Sequence, residues 1–287
     1  MRNLTKKCQR RFLAFFPLRF MGLIMDLGLR GKTALVFGGS KGLGRGTADA
    51  LAAEGVNLAL VARDQGGLDR AADEISRSHG VTVHGFSADL ADHEATLAAV
   101  AAAESALGGR IDILLNNTGG PPPGGVTDID PALWQAQFHA MILSIFRITD
   151  RVLPTMRRAG WGRILTVAST AVVEPNPALG ISNTLRSALI GWSKTLASEV
   201  GADGITANVL LPGKIATDRT VSMDQWTADK QGVTLEQVRA DKVRAVPVRR
   251  YGTPAEFGAV AAFLASEQAA YVTGSVVRVD GGVVRSV

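Results

Sequence analysis

Val36-Phe37-Gly38-Gly39-Ser40-Lys41-Gly42-Leu43-Gly44 is a glycine-rich turn between an apolar run, 33–37, and a helix-like run, 43–53. Glycine has no Cβ to hold a ligand away, so backbone N–H groups and the positive end of the following helix can close on a phosphate. Glycine and serine also make ordinary turns. The strand-like run before and the helical run after favour a nucleotide site over that plainer reading.

Outward from this turn the same alternation continues. The pattern predicts a helix over 43–54, a strand over 57–62, a helix over 68–76 and a strand over 81–87. A helix over 95–107, a strand over 111–116, a Gly/Pro loop over 119–125, a helix over 133–156 and a strand over 163–168 follow. Leu185, Leu189, Trp192 and Leu196 mark the apolar stripe of a helix over 181–200, which leads into a strand over 206–211. Segment 215–246 is charged and poorly periodic, and reads either as a mobile lid over a substrate or as a solvated helical hairpin. A helix over 255–265 and a strand over 275–279 close the chain. Near-continuous apolar strands alternating with helices predict an α/β fold with a parallel sheet covered on both faces. Ligands of such sheets sit at the carboxyl ends of the strands. A length of 287 residues suits one large domain.

The formal net charge of +5 is concentrated at the start of the chain. Six of the 31 bases (Arg2, Lys6, Lys7, Arg10, Arg11 and Arg19) lie in residues 1–24, which hold no acid. The remaining 25 bases face 26 acids, a net of −1, so the body of the protein has no charge excess for nucleic acid. Residues 12–20 are greasy, but Pro17 and Arg19 interrupt them and the run is too short to span a bilayer. Residues 1–24 therefore read as a leader outside the fold or a start-site artefact, with a membrane-surface contact as the alternative, and 25–287 as the domain. Cys8, the single cysteine, permits no intrachain disulfide, and a cytoplasmic setting is the default. The four histidines lack metal-ligand spacing, so no metal is expected.

The spacing Gly38-x-x-x-Gly42-x-Gly44 resembles that of the short-chain dehydrogenase/reductase family. Asn116-Asn117-Thr118-Gly119, Pro212-Gly213 with Thr217, and Tyr271-Val272-Thr273-Gly274 through Asp280-Gly281-Gly282 are similar to three further elements of that family, in the same order. The resemblance covers about residues 26–287 and is strongest to the 3-oxoacyl-carrier-protein reductase branch. It implies a single Rossmann-type domain, a doubly wound parallel sheet of about seven strands. It also implies a dinucleotide held by Gly38, Ser40, Gly42, Leu43 and Gly44, by Asn116 and Gly119, and by Pro212, Gly213, Ile215 and Thr217. Asp89 and Leu90 resemble the pair that meets the adenine, although Asp89 could equally cap a helix. Family members commonly assemble as tetramers through the helices matching 133–156 and 181–200, so a homo-oligomer, tetramer or dimer, is expected.

Two bases bear on the choice of dinucleotide. Arg63 ends the second predicted strand and Lys41 lies in the glycine turn, where the family's NADP users carry cations. A guanidinium or ammonium there pairs with the 2′-phosphate, whereas a carboxylate repels it and accepts the ribose hydroxyls. NADP(H) is favoured over NAD(H), with the neighbouring Asp64 able to turn inward against it.

The catalytic positions depart from the family. Its reductases use a serine to polarise the carbonyl, a tyrosine to supply the proton, and a lysine four residues later to lower the tyrosine's pKa and hold the ribose; an asparagine on the long helix anchors a water. Ser169 matches the serine, but Ser182 stands at the tyrosine position, Arg186 at the lysine and Met141 at the asparagine. Tyr251 and Tyr271 are the only tyrosines and neither can be shifted there. An aliphatic hydroxyl is far less acidic than a phenol of pKa about 10, and arginine cannot relay a proton. Ser169, Ser182 and Arg186 nevertheless form a candidate catalytic set in which Ser169 and Arg186 stabilise an alkoxide and water brings the proton. Arg186 also remains a candidate for the ribose. His139 lies about 200° around the helix from Met141 and is expected at the surface or an interface. Two function classes result. One is an atypical NADP(H)-dependent oxidoreductase acting on a small carbonyl or hydroxyl compound, with 3-oxoacyl thioesters among the candidates; the other is a catalytically inactive dinucleotide-binding sensor or partner subunit. Non-redox chemistry in the inherited pocket is a third.

Overall fold

The computed structural model describes residues 25–286. The leader 1–24 lies outside the described residues. Seven strands follow the predicted alternation: β1 (Thr33–Phe37), β2 (Asn57–Ala62), β3 (Val83–Ser87), β4 (Ile113–Asn116), β5 (Gly162–Val167), β6 (Ile205–Pro212) and β7 (Val276–Val279). They form one parallel sheet in the order β3-β2-β1-β4-β5-β6-β7. The chain works outward from β1 to β3, then crosses back to lay β4 on the other side of β1. The sheet's carboxyl edge splits at this switch between β1 and β4, where open α/β sheets bind ligands.

Alternate residues of β1 explain why both faces are covered. Ala34 and Val36 point to one face, where α1 (Gly42–Ala53), α2 (Gln65–His79) and α9 (Pro254–Ala265) supply Leu51, Ile75 and Phe257. Leu35 and Phe37 point to the other, against Val100 of α3 (His93–Ala106), Val152 of α5 (Ser144–Ala159) and Leu196 of α6 (Gly180–Val200). The axis of the sheet is dry: Leu35, Leu58, Leu60, Leu114 and Leu165 are fully buried. The fully buried leucines are each worth roughly 1.5–3 kcal/mol relative to exposure.

Helices α1 and α9 meet backbone to backbone. A Cβ on Gly46 would stand 2.3 Å from the Pro254 carbonyl oxygen, and one on Gly258 would stand 2.1 Å from that of Gly46. Only paired glycines permit this approach. The helix that opens on the glycine turn is thereby seated on the last helix of the chain.

One feature differs from the expected pattern, and a second falls on one of the two readings given for segment 215–246. The helix expected over 133–156 is α4 (Pro131–Phe138) and α5 joined by a π turn, His139–Leu143. One extra residue in that turn buries Met141 and Ile142 against Ile181, Leu185 and Leu189 of α6. Segment 215–246 forms a helical hairpin, α7 (Asp218–Gln231) and α8 (Leu235–Ala245). Thr217 caps the first helix, Gly232 ends it in a left-handed conformation, and Thr234 with Gln237 makes a capping box for the second. Buried Asp224 of α7 pins the hairpin, accepting from Lys242 Nζ at 2.6 Å and from the Tyr251 hydroxyl at 3.0 Å. Burial, then the hydrogen bond to Asp224, pushes the Tyr251 phenol above its ordinary range. Among the described residues no helix is long and apolar enough to cross a membrane.

Candidate active site

The glycine turn leaves β1 with Gly38 and Gly42 both in the left-handed region, at φ +67° and +60°. A Cβ on Gly44 would stand 2.2 Å from the Gly38 carbonyl oxygen, so the turn closes only because position 44 has no side chain. This is a backbone cradle at the start of α1, and it fits a pyrophosphate. Across the switch, Asn117 Nδ2 donates to the Phe37 carbonyl at 3.2 Å and would stand 2.5 Å from a Cβ on Gly38. The Thr217 methyl closes over Gly42, at 3.5 Å from where its Cβ would be. The turn after β1, the turn after β4 and the residues following β6 thus converge on one cleft.

The other candidate cofactor residues have these places. Asn116 points away from the cleft into the core, where its Nδ2 donates to Thr149 Oγ1 at 3.2 Å. Its neighbour Asn117, which sequence reasoning did not single out, is the one that reaches the glycine turn. Pro212 ends β6 and Gly213 follows it against Asp280, while Ile215 is buried and bridges to Gly252. Asp89 makes a local turn by accepting from Ala91 N at 3.0 Å, and it is Asp92 that caps α3. Leu90 packs against the core beneath. Arg63 is exposed at the end of β2. The Asp64 carboxylate folds back over Gly67, beside Ser40. Lys41 Nζ reaches across the mouth of the cleft to Asp218 Oδ2, 2.9 Å away.

On the substrate side, Ser169 caps the short helix Thr170–Val172, its Oγ accepting from Ala171 N at 3.1 Å. Its hydroxyl proton remains available to a ligand oxygen. Ser182 and Arg186, one turn apart on the inner face of α6, are both buried. The Arg186 guanidinium donates to the carbonyls of Val167 at 3.1 Å, Thr118 at 3.4 Å and Gly119 at 2.8 Å, joining the ends of β4 and β5. Burial, with the neighbouring Arg219 adding to it, pushes its pKa down to about 10. It remains a cation at neutral pH. Met141 lies in the apolar cluster behind α6 and offers no polar anchor. His139 is exposed, its ring edge-on to Phe138. Tyr271 stands in solvent and Tyr251 is engaged with Asp224, so each has a place outside the cleft's chemistry.

Two cations of the cleft were not singled out from the sequence. Arg219, in the first turn of α7, donates to the Pro121 carbonyl at 2.8 Å. Lys214 is largely buried beside the hairpin, and burial, then Lys242, lowers its pKa against the pull of Asp224. The available signal for Arg219 was a base in a first helical turn, where an acid is the usual choice.

A crossover sheet with a glycine turn at its switch point and a serine just after β5 is the architecture of a Rossmann-like α/β protein. Comparison with known proteins narrows the class. Residues 38–284 match the family profile described as Enoyl-(Acyl carrier protein) reductase. D-beta-hydroxybutyrate dehydrogenase of Cupriavidus necator is 35% identical over 256 residues, covering 88% of this chain and 98% of that protein. The 3-oxoacyl-(acyl-carrier-protein) reductase FabG of Escherichia coli is 34% identical, over 89% and 98%. The L-sorbose reductase of Gluconobacter frateurii, solved with NADPH and L-sorbose, superposes with a TM-score of 0.86 at 32% identity, covering 92% of this chain and 100% of that one. The chain belongs to the short-chain dehydrogenase/reductase family, and its relatives of known activity are oxidoreductases.

Proposed function

We propose that the protein is an NADP(H)-dependent oxidoreductase that interconverts a carbonyl and a hydroxyl with a catalytic set of its own, Ser169, Ser182 and Arg186. The observation that carries this reading is the buried Arg186 guanidinium at the junction of β4 and β5, beside the segment that ends in Ser169. The turn built on Gly38, Gly42 and Gly44 would hold a nicotinamide dinucleotide, which when bound would supply the hydride. Ser169 holds the substrate oxygen by donating a hydrogen bond to it and keeps its own proton. Arg186 lends positive charge to the same small region, which is worth more in a buried cleft than in water. Ser182 lacks the reach of a phenol, and the space it leaves admits water to complete the proton transfer. The resulting alcohol carries the hydride on carbon and the water-derived proton on oxygen.

For NADP over NAD the support is the exposed Arg63 and the NADPH in the sorbose reductase neighbour. Against it stand the Asp64 carboxylate beside Ser40 and the engagement of Lys41 with Asp218. Fluorescence titration decides: NADPH is expected to bind at least tenfold tighter than NADH, and the reverse order would withdraw the assignment. Turnover is tested by NADPH consumption with a panel of ketones and 3-oxoacyl thioesters. Activity that falls at least a hundredfold in Ser169→Ala is expected; NADPH oxidation independent of Ser169 throughout the panel would refute the mechanism. Assembly as a homo-oligomer through α4, α5 and α6 belongs to the same reading. The stacked Phe146–Trp192 pair, ring centroids 4.9 Å apart, lies on that face, and light scattering reads the state.

A second reading has its own observation. Arg186 bonded to three carbonyls is also what a purely structural strut looks like, as in an inactive dinucleotide-binding partner subunit. That reading expects tight NADPH binding with no turnover, and a gain of activity in Ser182→Tyr with Arg186→Lys. Rapid turnover by the unmodified protein rules it out.

A further inference from the structure

Two arginines on the substrate side carry charge that no acid among the described residues answers. Arg186 is 7% exposed, and all its partners are neutral carbonyls. Arg219 approaches the same loop from α7, donating to Pro121, and a Cβ on Gly120 would stand 2.9 Å from its Nη2. The guanidinium therefore lies against bare backbone. Neither arginine is in an ion pair among the described residues, although eleven such pairs occur elsewhere. Burial and then Arg219 lower the pKa of Arg186, and no carboxylate offsets them. Arg219 also stands in the first turn of α7, where the helix field disfavours a cation. Thr118, whose carbonyl accepts from Arg186, has its Oγ1 buried without a partner among the described residues. A fold that brings two cations together at the cost of desolvation and repulsion has a place for an anion.

We propose that the substrate is an oxo acid whose carboxylate is taken by Arg219 on the Gly120–Pro121 loop, with its carbonyl presented to Ser169 and Arg186. This rests on the reductase reading of the same cleft. Arginine offers five N–H donors in a planar fork, and the Pro121 carbonyl occupies one nitrogen, so the fork keeps donors for a carboxylate. Glycine at 120 lets the guanidinium lie flat on the loop, with Cζ and Nε 3.2 and 3.3 Å from where a Cβ would stand. The charge that Arg186 cannot discharge on a protein acid is then balanced by the substrate.

The test compares 2-oxo-4-phenylbutanoate, its ethyl ester and 4-phenyl-2-butanone, together with shorter 2-oxo and 3-oxo acids and their esters. The proteins are wild type, Arg219→Met and Arg219→Lys. Two readouts are taken: NADPH consumption, and the fluorescence of protein-bound NADPH, which reports binding without turnover. Acids are expected to exceed their esters at least tenfold in kcat/KM, about 1.4 kcal/mol. The ratio is expected to fall near one in Arg219→Met through KM, and to be intermediate in Arg219→Lys, which keeps the charge and loses the fork. Acids that bind no better than esters at every chain length overturn the proposal, and ester or ketone reduction in that case leaves the reductase reading standing. Acid-selective binding without NADPH consumption does the reverse. A tenfold loss of NADPH affinity in Arg219→Met assigns the arginine to the dinucleotide's phosphates and also overturns the proposal.

Discussion

The two ends of the parallel sheet each bury an arginine in a ring of backbone carbonyls, and they are not equivalent. At the amino end Arg163 donates to Ser266, Gly162 and Gly204, its guanidinium lies 4.3 Å over the Trp161 ring, and Glu267 counters the burial that lowers its pKa. At the carboxyl end Arg186 has three carbonyls as well, but its charged neighbour is Arg219, of the same sign. The first site is complete within the protein. The second is satisfied in hydrogen bonds and unsatisfied in charge, which is the signature of a place built for a ligand.

The largest effect is expected from Arg163→Met. It strips three carbonyls of a charge-assisted donor at a self-contained site and should cost about 3 kcal/mol, on the order of 6–10 °C in Tm, read by calorimetry, with NADPH affinity preserved. Gly44→Ala should come next, at about 1–3 kcal/mol, because the new methyl meets the Gly38 carbonyl; a loss of NADPH affinity larger than the loss of stability would mark the cradle. Arg186→Met should cost less than Arg163→Met, about 1 kcal/mol, because lost hydrogen bonds are partly repaid by relief of the repulsion with Arg219. Equal losses at the two arginines would erase the contrast drawn between the sheet's ends. Tyr251→Phe should cost about 1 kcal/mol and alter the alkaline limb of stability. The folded phenol titrates above its unfolded value, so its contribution is full below about pH 10 and is lost as pH rises beyond it. The phenylalanine variant should lack that decline in urea titrations between pH 9 and 11. Lys41→Ala removes a pair exposed at both ends and should change stability by less than about 0.5 kcal/mol, while weakening NADPH binding if the lysine turns to the 2′-phosphate.

The contrast also explains what was legible in the sequence. Strand interiors and the glycine turn are local signals, so the α/β alternation could be read residue by residue. The π turn could not, because one added residue leaves the apolar spacing around Met141 and Ile142 looking helical. Helices α7 and α8 bury few residues, chiefly Asp224, Ala228 and Val238, so the hairpin has little apolar period; its caps at Thr217, Gly232 and Thr234 were the readable trace. Ser169, Ser182 and Arg186 were placed by motif spacing. Arg219 and Asn117 matter through contacts with Pro121 and Phe37 that lie 98 and 80 positions away, and no local pattern announces those.

The glycine crossing of α1 and α9 has a consequence for biosynthesis. Residue 258 follows residue 46 by 212 positions, so the nascent helix that opens on the nucleotide cradle must wait for nearly the whole polypeptide to leave the ribosome before it finds its seat. Translation products that stop short of the final helix should emerge with the cradle's sequence intact and no purchase on the dinucleotide.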